Sequence, residues 1–455
     1  MLRILLTKYW VLAHLLVMAG TLCFAPEPSV GFGVWAALSL VLMGLSLPPV
    51  RRLEGFASAR LRVWGEMRGD VVFWGAVLGL LFVGVGLMNG PRELVYSSEL
   101  KRWVYLSAGI PFFPSSIELG RGVDFFVGLL CGLAGAVTVR AVLPRSQRLL
   151  ALLGLVMIGG LLGVGCVVTG KVCGVVPEVA WLGGAFGASV MWFLLFCVGL
   201  GIASEAFLEG HLRTLYSALG GAFLNLLGLF GVGAPVVMAA GFVVCVFYVC
   251  FSFFAVRASG RFPRVLWQSV LLLPVLFGVG LGLAFVPGGV QLLWAPGRWA
   301  AEMGHFFSQW GFRADLALSV FTQDPMLGAG ADGFAFLGKF YVKGKQAWAL
   351  WKTGGVGVPC DFLKLLLERG MLGSLLLLLP GFAMIGKCLM RWVEFRQGVR
   401  RHYSLRYIFV FAGAAIGVIG VLLASLIGTP LHTPAILCVF LIVCATLSDW
   451  MPRLR

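Results

Sequence analysis

Long apolar runs, broken by short polar and basic stretches, dominate this chain from end to end. At ~20 residues per membrane crossing the pattern predicts about twelve helical spans. Their cores fall at 9–25, 30–47, 71–89, 124–143, 149–169, 180–203, 213–230, 233–256, 265–287, 369–386, 407–428 and 433–448. The pair around Gly231 to Pro235 reads either as a tight hairpin or as one broken helix. The expected fold class is therefore all-α, a polytopic transmembrane helical bundle. It divides into a bundle at 1–287, an external loop at 288–368 and C-terminal helices with a tail at 369–455.

Composition agrees with the pattern. Charged residues make up 12% of the chain and hydrophobic ones 60%, against about 25% charged in a soluble domain. A transmembrane β-barrel would show short alternating segments instead. Lys and Arg cluster at Arg51–Arg68, Arg145–Arg148, Arg257–Arg264 and Lys387–Arg406, all on one side of the alternating count. By the positive-inside rule that side and both termini are cytoplasmic, and the loop after the ninth span faces out. The net charge of +16 is thus mostly a topology signal, carried by short juxtamembrane runs, and argues against nucleic-acid binding. Met1 to Ala25 is read as an uncleaved first span, because no soluble domain follows and APEPSV is a poor cleavage site. The 11 cysteines form no CxxC pair and read as small apolar packing residues. Cys173 and Cys360 both fall on the outer side, where a disulfide between them is open. The 63 glycines let helices pack closely. No metal or other cofactor is indicated.

Polar chemistry is confined to two outer loops. Asn89 to Gly122 carries Arg92, Lys101, Arg102 and Arg121 among Trp103, Tyr105, Phe112 and Phe113, the make-up of an interfacial anchor or a wall for an anionic headgroup. Pro287 to Cys360 carries Arg298, Arg313 and Lys339 among Trp294, Trp299, Trp310, Trp348 and Trp351, a surface suited to sugars and phosphate. Trp299 to Phe312 reads as an amphipathic interfacial helix, and Asp315 to Thr322 as a second helical stretch ended by Pro325. Gly328, Gly330 and Gly333 let the backbone turn sharply and approach a partner closely. GAGADG follows no strand, so it is not a nucleotide-binding loop. Asp361 is placed to cap a helix over Phe362–Arg369 that stops at Gly370 and leads into the tenth span. Lys364 and Glu368 are an i,i+4 pair on it.

The stretch from Phe321 to Gly373 resembles the signature region of the O-antigen ligase and polymerase superfamily. DPMLGAGADGF is similar to that family's "PLLGxGxxxF" through Pro325, Gly328, Gly330 and Phe334. PCDFLKLLLERGMLG is similar to its "HNxxLxxLxExGxxG" through Leu363, Leu366, Glu368, Gly370 and Gly373. The resemblance implies a multi-pass protein of a bacterial inner membrane that takes a polyprenyl-diphosphate-linked glycan as donor. The acceptor is lipid A–core in the ligase branch and another lipid-linked repeat in the polymerase branch. It further implies arginines on the diphosphate and a histidine that activates the acceptor hydroxyl. Charge neutralisation with positioning can carry such a step without a metal.

This chain departs from the pattern. Pro359 and Cys360 stand at the His-Asn positions, the Ser-Arg-Gly motif near a middle span is not visible, and Arg313 lies closer to Pro325 than the family spacing. His305, Asp361 and Glu368 are therefore the candidate catalytic groups, and Arg313, Arg298, Gly328, Gly330 and Lys339 the candidate substrate contacts. The rival readings are a lipid-glycan transporter, against which the lack of mid-membrane charges weighs, and a non-catalytic envelope scaffold.

Overall fold

A computed structural model describes residues 71–89, 93–98, 102–106, 110, 113–115, 119–137, 145–173, 184–232, 310–322, 324–331, 333–334, 337–338, 357–396 and 407–450. The predicted spans at 9–25, 30–47, 233–256 and 265–287 lie outside them, as does most of the large loop. The described helices are α1 (Val71–Met88), α2 (Leu119–Val137), α3 (Arg145–Cys173), α4 (Gly184–Leu208), α5 (Leu212–Val232), α6 (Asp361–Arg396), α7 (Ile408–Ala424) and α8 (Pro434–Trp450). A further helical segment covers 310–321, and a 3-10 turn, Pro430–His432, joins α7 to α8.

The helices pack as a row of neighbours: α6 on α1, α1 beside α2, α2 on α8, α8 beside α7, α7 on α4, and α4 with α5 and α3. Among the described residues, three stretches are long and apolar enough to cross a membrane: Val71–Met88, Arg148–Val168 and Phe186–Phe207. Gly122–Val137, Phe409–Ala424 and Pro434–Leu447 are shorter apolar helices. α4 is buried nearly all round, with Trp192, Leu194, Val198 and Ile202 in the main core. α1 is apolar on both sides. Gly75, Gly79, Phe82 and Gly86 form its packed stripe, while Val71, Trp74, Leu78, Leu81 and Val85 form an exposed one. A helix whose outward stripe is also hydrophobic suits a lipid surrounding, not water. These are the features of a membrane protein.

Small residues set the helix spacing, as they do where lipid removes the usual hydrophobic drive for association. A Cβ on Gly201 of α4 would meet Phe409 O at 2.6 Å, and one on Gly413 of α7 would meet Gly201 Cα at 2.9 Å. Asn225 ties α5 to α3 from inside the bundle, its Nδ2 donating to Val156 O at 2.7 Å and Gly221 O at 2.8 Å.

Three local expectations need correction. The first outer loop holds an antiparallel hairpin, β1 (Glu93–Ser97) with β2 (Arg102–Leu106), in register Val95↔Val104. ELVYS and RWVYL are rich in the β-branched and aromatic residues that favour strands, while their basic and aromatic residues equally suit the interfacial anchor expected there. The predicted break between Phe312 and Asp315 is absent, since 310–321 is one continuous helical run. Asp361 is the first residue of α6 instead of its cap, with Lys364 N–H bonding to Cys360 O at 3.0 Å.

The predicted stop at Gly370 is present as a break inside α6, where Gly370 has φ 64° and ψ −174°. A helix interrupted there leaves carbonyls open on one side and N–H groups open on the other. Residues 325–330 fill both sets. Ala329 N–H donates to Leu367 O at 2.7 Å and Gly330 N–H to Glu368 O at 2.9 Å. In return Met371 N–H donates to Pro325 O at 2.8 Å and Leu372 N–H to Met326 O at 3.2 Å. Beneath this junction Leu316, Val320, Phe334, Leu337 and Leu367 form a small core of their own.

Gly328 (φ 76°) and Gly370 face each other so closely that a Cβ on Gly328 would lie 2.7 Å from Arg369 N, and one on Gly370 would run into Met326 O. Gly328→Ala and Gly370→Ala should each destabilise the protein by more than about 2 kcal/mol. Gly220→Ala, at an exposed helical position with open space around it, should be neutral or stabilising by a few tenths of a kcal/mol. Thermal unfolding in detergent checks this, and equal melting of the three variants would contradict the account of the junction.

Candidate functional site

The junction positions a cluster of charged side chains. In the first half of α6, residues 361, 364 and 368 share one face, at i, i+3 and i+7. Asp361 is buried and fixed through its backbone, with its N–H shared between Ser425 O and Gly428 O, each at 2.9 Å. Its carboxylate spans two consecutive residues of the 3-10 turn. Oδ2 accepts from Leu431 N–H at 2.8 Å, and Oδ1 lies 2.6 Å from His432 Nδ1. Against an ionised carboxylate, which only accepts, Nδ1 is the donor in that contact.

Glu368, also buried, approaches the other ring nitrogen, with Oε2 3.8 Å from His432 Nε2. Its second oxygen lies 3.7 Å from Lys364 Nζ. The next residue, Arg369, is 2% exposed. Its guanidinium carbon sits 5.3 Å from the centre of the Phe125 ring, a cation–π contact. Among the described residues its Nη2 has no hydrogen-bond partner. Phe125 in turn stacks on His432, ring centres 5.4 Å apart at 29°. The site is thus assembled from α2, α6 and the turn before α8. Buried charges need partners: the two carboxylates share the imidazole and Glu368 also meets the Lys364 ammonium, while the Arg369 guanidinium rests on the Phe125 ring.

Asp361 and Glu368 of the predicted site residues are brought together, and both contact His432. Arg313 sits half-buried in the 310–321 helix and makes no hydrogen bond or ion pair with that cluster among the described residues. Gly328 and Gly330 belong to the junction. Their N–H groups donate to Asp324 O at 3.0 Å and Glu368 O at 2.9 Å, so any contact they make with substrate is one of close approach, not through these donors. His305, Arg298 and Lys339 lie outside the described residues. His432, Arg369 and Phe125 were not singled out by sequence reasoning. The available signal for His432 was its place in PLHTP between the last two spans, on the same side as the large loop by the alternating count.

Cys360 is a free, buried thiol. Burial, reinforced by the Asp361 carboxylate, pushes its pKa up despite bonds from the Leu363 and Phe362 N–H groups. Cys360 should therefore resist maleimide in the folded protein at neutral pH and label fully after denaturation without reductant, as read by peptide mass spectrometry. Labelling that requires reductant would show a disulfide to Cys173 or another thiol.

Neither a family model nor a curated protein matches the chain.

Proposed function

We propose that the protein is an integral-membrane glycosyltransferase of O-antigen ligase type. It moves a glycan from a polyprenyl-diphosphate donor to an acceptor such as lipid A–core, on the outer face of a bacterial inner membrane. About twelve spans, cytoplasmic termini and an outward-facing loop at 288–368 complete this reading. The observation that carries it is the junction itself. The two segments that resemble the family signature, 325–334 and 359–373, are bonded backbone to backbone around the break at Gly370. That junction places Glu368 and Arg369 where α6 enters the apolar bundle, with Asp361 two turns earlier on the same helix. Arg369 and Lys364 supply positive charge of the kind that neutralises a departing diphosphate. A polymerase would use the same groups with a different acceptor.

A deletion strain tests the reading through its glycolipids, by gel and mass spectrometry. Polymerised glycan stranded on polyprenyl diphosphate, with lipid A–core left bare, is the expected result. Single repeats on the final acceptor would identify a polymerase instead, and an unchanged profile would leave transport or scaffolding. Complementation with Arg369→Lys, which keeps the charge but loses the planar fork, should restore transfer at least about tenfold less well than the parent chain.

A further inference from the structure

Resting on that transferase reading, in which Arg369 supplies positive charge to the donor, we propose that Phe125 of α2 is a positioning residue of the transfer. Its ring stands where a buried guanidinium ordinarily has an acid, and it holds Arg369 in place without occupying the hydrogen-bonding fork. Arg369 is 2% exposed, and an arginine so buried is ordinarily paired. Two acids of α6 stand close in the chain, and both turn elsewhere. Glu368 points one oxygen at Lys364 Nζ, 3.7 Å away, and the other at His432 Nε2, 3.8 Å away. Asp361 commits both oxygens to the turn, at Leu431 N–H and His432 Nδ1. Among the described residues neither acid forms an ion pair with Arg369.

What meets the guanidinium instead is the Phe125 ring, its centre 5.3 Å from the guanidinium carbon, inside the ~6 Å reach of a cation–π contact. The two kinds of partner differ in what they leave over. A carboxylate would take two parallel N–H groups and fill the fork. A ring face attracts the charge through its quadrupole and provides no oxygen for the fork. Accordingly Nη2 of Arg369 has no hydrogen-bond partner among the described residues. An uncommitted donor on a fixed, planar cation is what recognition of a phosphate oxygen needs. Phe125 thus restrains the cation and spares the group through which it would act.

The ring is itself fixed from elsewhere, as a positioning group must be. It packs against the small core of Val83, Leu129 and Leu437, drawn from α1, α2 and α8. One turn further along α2, Gly128 brings that helix against the start of α8, since a Cβ there would meet Pro434 Cα at 2.8 Å. On the other side the ring stacks on His432, centres 5.4 Å apart at 29°, and Asp361 anchors that imidazole at 2.6 Å. The place of Phe125 is therefore set by helix packing and by the turn before α8, independently of Arg369.

The test uses full-length protein in native membranes, supplied with polyprenyl-diphosphate-linked glycan and the acceptor lipid. Phenylalanines carrying one, two and three ring fluorines are introduced at position 125 by stop-codon suppression. Fluorine drains the negative face of the ring and barely changes its shape, so packing is kept while the cation–π attraction fades. Donor kcat/KM per folded molecule should fall stepwise along the series, to about tenfold below the parent at three fluorines, with the melting temperature held. Phe125→Leu, which has no ring face, should fall at least as far, and Phe125→Tyr, which keeps one, should stay within about threefold of the parent. A ring with only a structural role would leave the rate per folded molecule level across the series, and that result overturns the proposal. So does Phe125→Leu within about threefold of the parent. If Phe125→Leu does not accumulate in membranes, the fluorinated series decides alone. Should the parent itself transfer nothing and the deletion strain keep a normal glycolipid profile, the transferase reading fails and this assignment falls with it. An active parent with a level fluorinated series removes the assignment of Phe125 only.

Discussion

The break in α6 at Gly370, and the loop backbone that repairs it, is the constraint on which the rest of the site depends. A helix interrupted where it enters an apolar bundle exposes carbonyls at 367 and 368 and N–H groups at 371 and 372. Each such group costs several kcal/mol if it stays unpaired away from water. Residues 325–330 satisfy all four by direct backbone bonds. The two glycines follow from this. Gly328 and Gly370 both take positive φ, and their backbones approach too closely for a side chain on either. The loop is therefore part of the helix's own hydrogen-bonding and cannot be treated as an appendage.

Consecutive residues at the break point to different partners. Glu368 meets His432 and Lys364, whereas Arg369 lies against Phe125. Phe125 then touches both Arg369 and His432, so one aromatic ring from α2 joins the two halves of the cluster. Close packing elsewhere holds these pieces in place. A Cβ on Gly128 of α2 would meet Pro434 Cα at 2.8 Å, and one on Gly373 of α6 would lie 2.7 Å from the Arg369 Cβ, beside Phe82 of α1. Helix spacing set by small residues thus reaches the charged groups directly.

Much of this was legible in the sequence, and for identifiable reasons. The span at 71–89 corresponds to α1 (Val71–Met88), and 433–448 overlaps α8 (Pro434–Trp450) from its first residue, because length and hydropathy decide such helices. Gly370 stood out as a stop because glycine bounded an amphipathic stretch. The hairpin at 93–106 was hidden by basic and aromatic residues that suit an interface equally well. His432 was hidden for a different reason. Alternating topology says on which face a short turn lies, but which side chains meet there depends on α2, α6 and α8 packing, a long-range outcome that no local pattern encodes. For the same reason the Lys364–Glu368 pair was visible as an i,i+4 spacing while the shared histidine was not.

Glu205 shows why burial of an acid alone does not make a site. It is as buried as Asp361 and lies at the other end of α7, about 25 Å away along a helix of that length. Its Oε1 accepts from Tyr407 N–H at 2.7 Å and its Oε2 from Phe409 N–H at 3.2 Å. Both bonds go to the open N-terminus of α7, where Tyr407 is left-handed and gives no side-chain cap. A carboxylate placed there by two backbone donors serves to close a helix end. Asp361 differs in one respect: one oxygen is given to a backbone N–H, and the other to the imidazole of His432. A second carboxylate, Glu368, stands across that ring, so the buried acid of α6 belongs to a cluster of side chains from three elements, whereas Glu205 closes a helix end.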